Sequence, residues 1–256
     1  MPTYCMQIEY EGTDWYGWQV QPDQPTVQGA IETALSTALR HEVGIVGAGR
    51  TDTGVHALGQ VAHFFSERPV DTYRLTAQVN GILPGSIAVP VIREVDDGFH
   101  ARYSAVWRLY HYGLSTRFHA VGRRYRWHVK PAPDLEAMNR AAAHLVGQID
   151  FTSFCKAAAE TDNRLCTVSE AHWREDDRTG DATFIIRADR FLRGMVRTVV
   201  GTLVQIGHGL RPEDDIGRIL AAGDRRAAGY SAPARGLTLV AVGYDTGDAE
   251  GNDPGP

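Results

Sequence analysis

Apolar residues recur along this chain at two periods, two and about 3.6, and runs of one period keep interrupting runs of the other. A chain so patterned must lay helices on sheets. Tyr4, Met6, Ile8 and Tyr10 alternate with Cys5, Gln7 and Glu9, which is strand spacing. After the loop EGTDWYGWQVQPDQP, Thr26 is placed to cap a helix with the stripe Val27, Ile31, Ala34, Leu35 and Ala38, ending near Arg40. Residues 43–46 and 60–65 read as strands flanking the Gly-rich GAGRTDTGVHALG. Asp71 is expected to cap a second helix, with Leu75, Val79 and Ile82 inward and Pro84 closing it, and 87–95 is a further strand.

The second half uses the same vocabulary. Residues 104–114, 123–129, 167–174, 183–188 and 237–244 are strand-like. Asp134 opens a helix ending at Gly147, and Asp189 is expected to cap one running through Ile206 on the stripe Met195, Val199, Leu203 and Ile206. Pro212 opens a shorter helix that Gly223 ends. Strands outnumber helices and helices sit between strand pairs, so the class is α+β, with two sheet-plus-helix lobes sharing an interface where ligand sites favour forming. The closing TGDAEGNDPGP, 246–256, has little apolar surface to bury and is expected to be disordered.

Charge is distributed unevenly. The formal net charge is -5, yet residues 98–130 contain seven basic side chains and no acid: Arg102, Arg108, Arg117, Arg123, Arg124, Arg126 and Lys130. Of the 26 basic residues only Lys130 and Lys156 are lysines, and arginine forks suit phosphate oxygens. A localised basic surface is the footprint of a polyanion binder, and a solvated arginine-rich face is the alternative. No apolar run reaches membrane-spanning length, and the N-terminus has neither the basic start nor the apolar core of a secretion signal. With three scattered cysteines, Cys5, Cys155 and Cys166, the chain is expected to be soluble in a reducing cytoplasm.

Several chemistries are excluded by spacing. GAGRTDTG lacks the third glycine of a dinucleotide fingerprint, and Asp52 stands there instead, aiming negative charge where a pyrophosphate would lie. There is no GxxxxGK[ST] loop and no paired Cys or His spacing for zinc, so no metal is expected. The same loop sets a carboxylate, Asp52, between Arg50 and His56, with glycines that let a ligand approach the backbone. A carboxylate that acts as nucleophile or base in a cleft needs a cation or hydrogen bonds to stay ionised, whereas an Asx-turn is the structural alternative. In YSAVWRLYHY, Tyr103, Trp107, Tyr110 and Tyr112 are interleaved with Arg102, Arg108 and His111. That pattern suits a splayed or flipped RNA base as well as an ordinary strand core, and alternation puts Trp107 opposite Tyr110 and Tyr112. FLRGMVRTVVG places Arg193 and Arg197 four apart on one expected helix flank.

Together EGTDWYGWQVQP, GAGRTDTGVHALGQVAHF, FHARYSAVWRLYHY, DFTSFCKA, FLRGMVRTVVGTLVQIG and ARGLTLVAVGY resemble, in wording and order, the TruA family of tRNA pseudouridine synthases. The resemblance runs from Tyr4 to Tyr244. It implies two ferredoxin-like lobes, 1–100 and 101–245, forming one extended mixed, largely antiparallel sheet with the catalytic cleft between them. It also implies isomerisation of uridine to pseudouridine at positions 38, 39 and 40 of the tRNA anticodon stem-loop, without a cofactor, by a homodimer.

The family's catalytic aspartate falls on Asp52, its base-stacking tyrosine on Tyr110, the arginine that pairs with the carboxylate on Arg197, the apolar residue of the base pocket on Leu237 and the base-flipping arginine on Arg50. His56, Arg102 and Arg108 are expected further substrate contacts. Many relatives read RRYRY where this chain has RLYHY, so Leu109 and His111 replace basic residues. Two other classes stay open from the residues: an RNA-binding module without chemistry, and a hydrolase of nucleoside N-glycosidic bonds, which would release free base.

Overall fold

The computed structural model describes residues 1–156 and 163–245, so the expected disorder of 246–256 lies outside the described residues, as does the last residue of DFTSFCKA. Among the described residues ten strands and five α-helices make an α+β fold, with mixed, largely antiparallel pairing. They fall in two compact units, Met1–Val106 with residues 239–245, and Trp107–Thr238. Sequence places the closing strand in the second lobe; the fold gives most of it to the first. Gly59 shows why: a Cβ there would stand 2.4 Å from the Val240 carbonyl oxygen, so the two backbones meet where one side chain is missing.

In the first unit, β1 (Thr3–Tyr10) lies between β3 (His56–Phe65) and β4 (Ile87–Val95), antiparallel to both. Beyond β3 runs β10 (Leu237–Tyr244), and the two-residue β2 (Val46–Gly47) pairs with β3 at His63 and Ala62. Tyr4, Met6 and Ile8 are fully buried, and the Tyr4 ring stacks 5.3 Å from Phe64, its cross-strand partner. The helices α1 (Val27–Leu39) and α2 (Thr72–Ile82) begin where expected because Thr26 Oγ1 accepts the Gly29 N–H and Asp71 Oδ1 the Arg74 N–H. Such a cap contributes about 1 kcal/mol. Ile82 turns outward instead of inward, at the last residue of α2, where the chain is already leaving the helix. Val43 and Ile45 are buried, but the pairing expected for 43–46 forms only at Val46–Gly47.

The second unit orders its strands β5 (Ala105–Ser115), β9 (Ala182–Ala188), β8 (Leu165–Glu175) and β7 (Gly147–Asp150), all antiparallel, while β6 (Trp127–His128) runs parallel to the end of β5. The region 123–129 is therefore not one strand: Arg123–Tyr125 forms a 3-10 turn and only two residues pair. Asp134 Oδ1 caps α3 (Leu135–Ala142) through the Ala137 N–H. That helix ends short of Gly147, which turns at φ +120 into β7. Asp189 does not cap the next helix, because its carboxylate accepts the Thr167 N–H of β8 at 2.8 Å. The helix α4 (Met195–Gly207) begins after Gly194, at φ +74, and its expected stripe Met195, Val199, Leu203 and Ile206 is buried. Pro212 opens the turn into α5 (Asp215–Ala222), and Gly223 ends it in the left-handed conformation.

One device recurs in both units. Asn80 of α2 donates to the Val89 carbonyl and accepts the Val89 N–H, and Asn139 of α3 does the same with Trp173 of β8. Each side-chain amide imitates one more strand residue and fixes its helix to its sheet.

Candidate active site

In the first unit the loop between β2 and β3 carries Arg50, Asp52 and His56. The Ala48 N–H donates to the Val61 carbonyl, Gln60 Nε2 to that of Gly49, and the Val55 N–H to that of Asp52. The preceding aromatic loop clamps the same turn from outside. The Trp18 N–H donates to the Thr51 carbonyl at 3.1 Å, the Gly54 N–H to that of Trp15, and the buried hydroxyls of Tyr10 and Thr51 lie 2.8 Å apart. Gly17, at φ +87, makes this approach possible, since a Cβ on it would sit 2.7 Å from the Thr51 carbonyl oxygen. Asp52 is left half-buried at a rigid tip, with Arg50 exposed beside it.

His56 is 1% exposed, and its Nδ1 accepts the Gly12 N–H at 3.0 Å. Glu11 lies 4.0 Å from the same nitrogen, but that nitrogen faces a donor and so acts as an acceptor. The ring ties the loop that carries Asp52 to the Glu11–Gly12 turn. Arg102 is exposed on another turn of this unit, its guanidinium 5.6 Å from the Tyr103 ring centre. His63 anchors that turn by accepting the Ala101 N–H, and Tyr244 donates its hydroxyl to the Ala101 carbonyl. Burial, with His100 alongside, holds the His63 imidazole below its ordinary range, so it remains the neutral acceptor that this bond needs.

In the second unit Tyr110 is buried on β5 with Phe191 set edge-on to it at 5.0 Å. Arg108, two residues before on the same strand, donates Nη1 to the Asp189 carbonyl at 2.7 Å. The guanidinium of Arg197, on α4, is oriented by Nε donating to the Ala232 carbonyl at 2.8 Å, while the Ala232 N–H donates back to the Arg197 carbonyl. Arg193 precedes the helix and is exposed, so the expected pair on one helix flank does not form. Leu237 is buried at the start of β10. The expected opposition on β5 holds, with Tyr110 and Tyr112 buried and Trp107 on the other face beneath the Arg187 guanidinium, 4.0 Å from its ring centre.

Two residues matter more than their sequence context suggests. Tyr112 is fully buried and donates its hydroxyl to the Pro233 carbonyl at 2.8 Å. Gly236 allows this, because a Cβ there would stand 2.5 Å from the Tyr112 ring. Burial pushes the Tyr112 phenol far up, so it stays a donor, pinning the segment between Arg197's partner Ala232 and Leu237. Phe191 was available to sequence reading as the aromatic of FLRG, but only the fold sets it against Tyr110.

A family model described as tRNA pseudouridine synthase matches residues 6–104 and 141–245. The chain belongs to the tRNA pseudouridine synthase family. It is similar to tRNA pseudouridine synthase A of Bacteroides thetaiotaomicron, 42% identical over 95% of this chain and 91% of that protein. Relatives of the same name from Brevibacillus brevis, 43% identical over 93% of this chain and 97% of that one, and from Jannaschia sp., 41% identical over 96% of both, agree. Membership in the synthase family makes the chain an isomerase. Among the described residues no group of three His, Cys, Asp or Glu side chains could hold a metal ion, and no helix is long and apolar enough to cross a membrane.

Proposed function

We propose that this synthase converts uridine to pseudouridine at positions 38, 39 and 40 of the tRNA anticodon stem-loop, with Asp52 as the catalytic residue. The observation that carries the reading is the Asp52 loop. Its backbone is tied by bonds with Trp15 and Trp18 and its Thr51 hydroxyl by buried Tyr10, while Asp52 itself is only half-buried, which is how a reacting group is held ready. The target base leaves its stack at a cost of a few kcal/mol, Arg50 fills the space it vacates, and Tyr110 with Leu237 holds the extruded uracil. Arg197, its guanidinium fixed through Nε on the Ala232 carbonyl, is the arginine that the family likeness assigns to the reaction.

Asp52 breaks the N1–C1' bond, by attack on the sugar or by removing a ribose proton to give a glycal. The uracil turns in place and C5 bonds to C1' as the Asp52–C1' ester bond breaks or, on the glycal route, as the ribose proton returns to C2'; the C5 hydrogen then leaves as a proton and N1 takes one up. The sum is an isomerisation, redox-neutral and balanced without a cofactor. Arg102 and Arg108 are further tRNA contacts, of the kind that arginine makes to phosphates. The enzyme works in the cytoplasm as a homodimer, which sedimentation at working concentration tests.

The deciding experiment is tritium release from C5-labelled uridine in unmodified tRNA, with Asp52→Asn in parallel and the modified positions mapped. Release by wild type alone, mapping to the anticodon arm, is expected. Free uracil among the products would point to a glycosidic hydrolase, and tRNA binding without release by wild type to a binding module.

A further inference from the structure

The acid-free segment is folded around an acid taken from elsewhere in the chain. Asp181, just before β9, is 4% exposed; its Oδ1 lies 3.0 Å from His119 Nε2 and its Oδ2 3.3 Å from Arg126 Nε. A carboxylate at such a depth destabilises the fold unless cations and donors surround it. Burial pushes its carboxyl up, but the hydrogen bond with His119 and the charge of Arg126 help outweigh that and hold it below the ordinary carboxylate range.

Around this centre the segment is firmly built. The Val129 N–H donates to the Ser115 carbonyl, Ser115 Oγ donates to that of Arg117, and β6 pairs with Leu114 and Ser115. Gly113 lets the returning chain lie on β5, since a Cβ there would stand 2.5 Å from the Tyr125 carbonyl oxygen.

What this frame presents outward is cationic and aromatic. Arg117, Arg123, Arg124 and Lys130 are exposed, and Phe118 is 83% exposed. The Phe118 ring is backed by His128 at 4.1 Å, with Lys130 Nζ 5.3 Å from its centre. A ring that lies against a histidine while most of its surface faces water can serve as a stacking platform, and the cations around it suit phosphates. The segment leaves β5 at Ser115, five residues past Tyr110 and roughly 17 Å along the strand at the usual rise, and Phe118 follows three residues later.

We propose that segment 117–130 is a second RNA contact, gripping the ribose-phosphate backbone of tRNA several nucleotides away from the one being isomerised, and that Asp181 is the positioning residue that sets its shape. This rests on the reading of the chain as a tRNA-modifying synthase. It adds a binding surface outside the catalytic residues.

The test is the triple variant Arg117→Ala/Arg123→Ala/Lys130→Ala, whose side chains are all exposed, so folding is not at risk. Each lost phosphate contact lowers the slope of log K against log salt by roughly 0.7–0.9, so the slope for tRNA should fall by about 2–3. Between 50 and 200 mM salt the variant should then lose roughly 20–40-fold less affinity than wild type. Asp181→Asn should raise KM for tRNA, with the larger part of the change in KM and the smaller in kcat, a split that general loosening of the fold would not produce. A triple variant with wild-type slope and affinity overturns the proposal and points to a non-RNA occupant; so does Asp181→Asn with wild-type KM. Binding is measured separately from tritium release, so a failed isomerisation assay would count against the synthase reading alone.

Discussion

A methyl group at Gly17 should damage catalysis through the loop it touches. Gly17→Ala forces an L-residue to φ +87, which costs about 1–2 kcal/mol, and places a Cβ 2.7 Å from the Thr51 carbonyl oxygen. Relieving that contact moves the Thr51–Asp52 peptide by roughly half an ångström and strains the 3.1 Å bond from the Trp18 N–H, for about 1 kcal/mol more. Stability should therefore fall by about 2–3 kcal/mol, well within reach of urea titration. A displacement of 1 Å at a reacting group costs on the order of a hundredfold in rate, so half of that predicts about a tenfold loss of kcat in tritium release at saturating tRNA. Gly49→Ala serves as the stability control, because a methyl there meets nothing within 4 Å. If Gly17→Ala keeps both wild-type kcat and wild-type stability, the idea that the aromatic loop sets the position of Asp52 is wrong.

Other consequences can be checked by the same titrations. Gly81, inside α2, has open space around its Cβ position, so Gly81→Ala should stabilise by about 0.5–1 kcal/mol. Asn139→Ala leaves the Trp173 N–H and carbonyl without their partner and should cost about 1–3 kcal/mol, with the rate at saturating tRNA little changed. Tyr112→Phe strands the Pro233 carbonyl beside Arg197's anchor and should lower kcat more than it raises KM; the reverse split would remove Tyr112 from the positioning of that segment. Because the Asp181 carboxyl is lowered in the folded state, its contribution is complete above the ordinary carboxylate value near 4 and is lost as pH falls through the lower folded one. The urea midpoint of wild type should exceed that of Asp181→Asn at pH 6, with the gap narrowing below about pH 4; a gap independent of pH would contradict the charge argument.

The amino-acid order by itself determined what depends on near neighbours. Thr26, Asp71 and Asp134 cap their helices through N–H groups three residues on, and the apolar stripe of α4 and the alternation of β1 meet their cores as their periods require. The candidate reacting groups were legible for a different reason: Arg50, Asp52, Tyr110 and Arg197 sit in wording specific enough to identify a family. Only the tertiary structure decided what distant residues compete for. Asp189 looks like a cap until a strand N–H from Thr167 takes its carboxylate, and nothing local announces that His56 Nδ1 will meet the Gly12 N–H, 44 residues away in sequence. Residues 123–129 alternate like a strand, but Arg126 turns inward to Asp181, which no local pattern announces. A side chain's propensity is read from the residues beside it, whereas its hydrogen-bond partner is settled by which buried polar group would otherwise go unsatisfied, and that is known only once the chain has folded.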